Sequence, residues 1–158
     1  MPSDFTGLMA EQITEVTGIE CVEGKGGLEV EAGKIYVAPG DYHMTIHNGT
    51  AGKHIIKLNQ DAPENFCRPS ANPMLRSLAD SYGAKKILSV VLTGMGHDGL
   101  AGCEMISKNG GIVMAQDYES SAVWGMPGSV AKAGICSFIL SPEELAEKIM
   151  EIFSGRLS

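Results

Sequence analysis

Three nearly continuous apolar runs alternate with amphipathic segments in the second half of the chain. They are "ILSVVL" (87–92), "IVMAQ" (112–116) and "CSFIL" (136–140), separated by "GLAGCEMISKNGG" (99–111) and a short "GSVAKAG" (128–134). Runs apolar on both faces, joined through helices, are what a parallel sheet covered on each side requires. This predicts an α/β fold, doubly wound and mainly parallel, with helices on both faces. In such sheets ligands are met by the loops after the strand C-termini, here about 93–99 and 117–127.

The flanks fill in the rest. Asn72 and Pro73 suit the cap and first position of a helix carrying Leu75, Leu78, Ala79 and Tyr82, closed by Gly83. A last helix starts at Pro142, with Ser141 and Glu144 as a capping box and Leu145, Ile149, Ile152 and Phe153 as its buried face. Near the start, Phe5, Leu8, Met9, Ile13 and Val16 share one helical face, which predicts a helix packed through that face and stopped by Gly18. Between them the period shortens: "KIYVA", "HMTIH" and "HIIKL" read as short strands, with Asn48-Gly49 and Gly52 marking a β-hairpin insertion.

At 158 residues the chain fits one domain with a real core. A net charge of -7 with 12 scattered Lys and Arg residues speaks against a nucleic-acid partner. No apolar stretch approaches the ~18 residues of a membrane span and no leader pattern opens the chain, so a cytoplasmic protein without membrane insertion is expected. Cys21, Cys67, Cys103 and Cys136 form no C-x-x-C pair and read as reduced thiols. His43 and His47 could share one side of a strand, but no third ligand accompanies them, and no metal site is assigned.

The loop after the first of the three runs holds Gly94-x-Gly96-x-x-Gly99, with Asp117 ending the next run, which fits the outline of a dinucleotide-binding turn. Asp98 argues against it. At ~4 Å, two unit negative charges repel by about 4 kcal/mol at an effective dielectric near 20, enough to spoil a micromolar phosphate site. Two readings of Asp98 stay open: a cap for a helix starting at Gly99, or the carboxylate that orients a histidine in a hydrolytic triad. Ser120 and Ser121 lack the G-x-S-x-G elbow and read as turn residues. Arg68 suits a carboxylate or carbonyl contact, and Cys67 beside it has no visible catalytic partner.

Four segments, "IYVAPGDYHM" (35–44), "CRPSANPML" (67–75), "VVLTGMGHDGLAG" (90–102) and "AQDYESSAVWGMPGSVAKAG" (115–134), together resemble the catalytic domain of CheB-type chemotaxis protein-glutamate methylesterases. The resemblance implies a Ser-His-Asp hydrolase that removes methyl groups from glutamyl esters on chemoreceptor cytoplasmic domains, and in many members deamidates receptor glutamines. It makes Asp98 the triad aspartate and the backbone around Met95, between Gly94 and Gly96, a candidate oxyanion element. No cofactor is implied. The family's serine and histidine precede a Met-Pro pair that Met1-Pro2 resembles, so the chain is expected to be one amino-terminally incomplete catalytic domain, lacking a strand-helix-strand unit of about 30 residues. The expected partners are methylated chemoreceptors and a receiver domain upstream or in trans. The alternatives are an inactive receptor-binding or regulatory module and, less favoured, a dinucleotide-binding domain.

Overall fold

A computed structural model describes residues 1–155, which fall into two compact units divided after Gly83. Parallel strand pairs and packed helices make the fold mixed α/β.

In the first unit, helix α1 (Ser3–Thr17) ends at Gly18, whose φ of 71° and N–H bond to the Thr14 carbonyl (2.9 Å) form a left-handed cap. It packs on β1 (Cys21–Glu23) and β2 (Ile35–Val37), a short parallel pair. The packed side is not the apolar one. Thr6 and Ala10 are buried, and the Thr6 hydroxyl bonds the Glu23 carboxylate, whereas Phe5, Leu8 and Val16 are exposed and Ile13 is half-buried. Small residues let the helix approach the strands closely, so the expectation of a helix seated through Phe5, Leu8, Met9 and Val16 is corrected. Strands β3 (His43–Asn48) and β4 (His54–Asn59) form the expected antiparallel hairpin, in register from His43 opposite Asn59 to Asn48 opposite His54. Helix α2 (Ala71–Tyr82) lies on β3 over a core of Met44, Ile46 and Ile56. Its cap is Ser70, which accepts the Asn72 N–H, so the helix begins before the Asn72-Pro73 start expected from sequence.

In the second unit, β5 (Leu88–Val91), β6 (Ile112–Gln116) and β7 (Phe138–Leu140) form one parallel sheet in that order, Leu88 opposite Ile112 and Met114 opposite Phe138. Crossover helices α3 (Leu100–Lys108) and α4 (Gly125–Lys132) connect them, and α5 (Pro142–Phe153) closes the unit. Cys103, Ile106, Val113, Met114, Ala115 and Val130 are wholly buried. At ~1.5–3 kcal/mol for each large apolar side chain, this cluster dominates the unit's stability. The Ser141–Glu144 capping box forms as expected, with Pro142 in the first turn and Leu145 buried. Phe153, expected inside, is 76% exposed, because the packed face of α5 centres on the buried Leu145, with Ile149 and Ile152 half-buried, and leaves Phe153 outside it. Among the described residues no helix is long and apolar enough to cross a membrane.

Candidate active-site loops

Both loops singled out from sequence lie at the C-terminal ends of parallel strands, one following β5 and the other β6, and the structure interlocks them. The Thr93 hydroxyl donates to the Val123 carbonyl (3.0 Å) and accepts the Val123 N–H (2.9 Å). Beside it the Gly94 N–H donates to the same carbonyl (3.0 Å), and the Gly94 carbonyl accepts the Met126 N–H (2.8 Å). Gly94 and Trp124 thus meet as a parallel bridge, an extra rung beyond the sheet.

Glycine is required here for two separate reasons. Gly96 turns the chain at a φ of 86°, where a β-carbon is strained. Gly125 has ordinary dihedrals but no room: a β-carbon there would stand 2.8 Å from the Gly96 nitrogen and 2.9 Å from the Gly94 carbonyl oxygen.

Within the first loop the candidates separate by exposure. Met95 is 82% exposed and His97 is exposed, while Asp98 is buried at 6%. The helix cap falls on Gly99, at a φ of 91°, so Asp98 stands one residue ahead of the cap position and the helix starts one residue later than the Gly99 expected from sequence. Burying a carboxylate costs several kcal/mol before its interactions are counted, and Asp98 has a partner within the protein that offsets part of that cost.

The second loop is held by side chains. Asp117 accepts the Ser120 N–H (3.0 Å) and hydroxyl, and Ser121 donates to the Asp117 carbonyl (2.6 Å), so both serines are turn-makers. The Asp117 carboxylate is therefore spent on its own turn. Trp124 donates its indole N–H to the Gln116 carbonyl (3.0 Å) and meets Tyr118 edge-on at 5.6 Å. Lys132 lies 5.7 Å from the indole centroid. Sequence reasoning passed over Thr93 and Gln116, whose role lies in cross-loop hydrogen bonds that leave no periodic trace.

The first unit holds a second polar cluster. The Arg68 guanidinium grips Asp41 through Nε (3.1 Å) and Nη2 (2.7 Å) and donates through Nη1 to the carbonyls of Gln60 (3.2 Å) and Asp61 (3.4 Å). Arg68 beside Asp41 holds that carboxyl below its ordinary value. The buried His43 accepts the Ser70 N–H at Nδ1 (3.1 Å) and donates from Nε2 to the Ala62 carbonyl (3.0 Å), which fixes its neutral tautomer. His47 bonds Thr45 (2.9 Å). Both histidine positions once open to a metal have these protein partners. Cys67 donates to the Asn65 carbonyl (3.4 Å).

The comparisons with known proteins agree with one another. A family model described as CheB methylesterase matches residues 1–149. A protein-glutamate methylesterase/protein-glutamine glutaminase of group 2 operon from Rhodospirillum centenum is 49% identical over 156 residues, covering 99% of this chain and 39% of the relative. A protein-glutamate methylesterase/protein-glutamine glutaminase from Azospirillum brasilense is 48% identical over 154 residues, covering 98% of this chain and 39% of its own length. The chain therefore spans about two fifths of these relatives. The crystal structure of the Thermotoga maritima CheB methylesterase catalytic domain superposes with a TM-score of 0.91 at 34% identity, over 96% of this chain and 79% of that one.

Proposed function

We propose, for a chain that belongs to the CheB methylesterase family, that it supplies the aspartate arm and the oxyanion loop of a protein-glutamate methylesterase. The observation that carries this reading is the buried Asp98 in the loop after β5, one residue before a left-handed cap, in a loop locked to its neighbour. In this reading the Asp98 carboxylate accepts Nδ1–H of a catalytic histidine, fixing its tautomer and stabilising the imidazolium that forms when serine attacks the ester carbonyl. The backbone at Met95, an exposed residue between Gly94 and Gly96, offers an N–H to the oxygen that becomes negative in the tetrahedral intermediate. Methanol leaves, and water releases the glutamate.

The serine and histidine are assigned outside residues 1–158. Ser120 and Ser121 are held in the Asp117 turn, and both ring nitrogens of His43 are engaged by backbone groups. The substrate is a methylated glutamate on a chemoreceptor cytoplasmic domain. A glutamine side chain fits the same chemistry, since ammonia replaces methanol as the leaving group. A receiver domain, upstream or in trans, belongs to the same reading as the regulator.

The test is methanol release from methylated receptor by the natural gene product isolated from its own cells. Release is expected. Receptor binding without release would favour the inactive module, and neither would remove the receptor from the account.

A further inference from the structure

The loop carrying Met95 and Asp98 is anchored by a side chain that the reaction does not touch. Gln116, last residue of β6, is 4% exposed. Its Oε1 accepts the Thr93 N–H (2.8 Å), and its Nε2 donates to the Ser120 carbonyl (2.9 Å) and hydroxyl (3.2 Å). The partners fix the orientation of the amide: a backbone N–H only donates and a backbone carbonyl only accepts, so the carboxamide cannot be reversed. One buried group thus grips the first residue of one loop and the turn of the other. The Gln116 backbone carbonyl meanwhile takes the Trp124 indole N–H, so three points of the two loops converge on this residue.

We propose that Gln116 is a positioning residue for the esterase reaction, setting the placement of the Met95–Asp98 loop through the Thr93 N–H. This rests on the proposed role of Asp98. Thr93 opens the loop five residues before Asp98, and displacements of about 1 Å at a reacting group cost up to roughly 100-fold in rate. A fixed Thr93 is therefore expected to act on kcat, and since Gln116 is itself buried away from any substrate, KM is expected to change little.

The experiment uses Gln116→Met, which keeps volume and flexibility while removing both polar ends. Thr93 is an exposed residue and its bond to Gln116 is only part-buried, so solvent is expected to reach its N–H in the variant. Two readouts are taken. In residues 1–158, hydrogen exchange at the Thr93 amide is expected to be slowed at least about tenfold over an unstructured peptide and to lose most of that protection in Gln116→Met. In the natural protein, kcat on methylated receptor is expected to fall roughly 10- to 100-fold with KM within about twofold.

Val113→Ala, a cavity variant in the same strand, serves as the control: lower thermal stability with kcat within about twofold of the parent. Gln116→Glu keeps the acceptor for Thr93 and is expected to retain its amide protection. Wild-type Thr93 exchanging at the peptide rate would overturn the proposal whether or not Gln116→Met folds. A Gln116→Met enzyme with unchanged kcat would overturn it too. If the wild-type protein releases no methanol, the proposed function fails instead, and the exchange measurement still decides whether Gln116 holds the loop.

Discussion

The hydroxyl of Thr93 both donates to and accepts from the backbone of Val123, at 3.0 and 2.9 Å, so one side chain closes a two-way bridge between the loops that follow neighbouring parallel strands. A side chain that satisfies both polar groups of one residue reproduces the geometry of a strand rung without needing another strand. The two loops are thereby tied together, and the buried Asp98 belongs to the first of them.

Thr93→Val keeps the shape and removes both bonds. Since water can replace part of what is lost at an exposed site, the expected cost is about 1 kcal/mol, read from the urea midpoint. Thr93→Ser, which keeps the hydroxyl, is expected to stay within about 0.5 kcal/mol of the parent.

Gly125→Ala sets two effects against each other. Helix propensity favours alanine by up to ~1 kcal/mol, but the new β-carbon meets backbone atoms of Gly94 and Gly96 at 2.8–2.9 Å, and backbone yields poorly. Overpacking costs about 1–3 kcal/mol, so net destabilisation is expected by thermal melting, with a fall in kcat as the loop shifts. Higher stability would show that the two loops are not in such close contact.

Thiol reactivity should sort the cysteines. Burial pushes the Cys103 thiol up to about 11, Cys136 adding to the shift, and burial also raises Cys21 and Cys136. Because the thiolate is the reactive species, Cys103 should be the slowest to react with a disulfide reagent at about pH 8 in the native state, and all four should react rapidly after denaturation. Mass mapping of the labelled sites is the check.

Asp41 gives a pH dependence of defined sign. The hydrogen bonds from Arg68 are the largest cause of its lowered folded value, against an ordinary 3.8. As pH falls, the unfolded chain binds this proton first. The stabilisation is therefore present above the ordinary value and lost as pH drops through the lowered one. Urea midpoints from about pH 6 to about pH 3 should show Asp41→Asn less stable than the parent at the upper end, the gap closing towards the lower. A constant gap would mean that the Arg68 clamp acts through shape alone.

Local chemistry made much of this fold readable. The three parallel strands announced themselves as apolar runs, the β3–β4 hairpin by Asn48-Gly49, and the start of α5 by Ser141 and Glu144. What failed was decided by tertiary contact. Periodicity assigns an apolar face to α1 but cannot say that Thr6 and Ala10 are the residues that meet β1 and β2. The parallel β1–β2 pair is three residues a side, too short to declare a partner. The α2 cap moved to Ser70 because its hydroxyl reaches the Asn72 N–H, a contact that Asn72-Pro73 hides.

The site divides the same way. Asp98 and Met95 stood out in the sequence through the glycine loop and the family resemblance. Thr93 and Gln116 did not, since their partners are up to 30 residues away in sequence and only the folded sheet brings them together.

The most direct test of the account is Asp98→Asn in the natural protein, with kcat and KM measured on methylated receptor. An asparagine keeps the size of the side chain and removes the charge that holds the histidine tautomer, so kcat is expected to fall roughly 10^3- to 10^4-fold with KM little changed. Full activity in Asp98→Asn would contradict the assignment of Asp98 as the triad carboxylate.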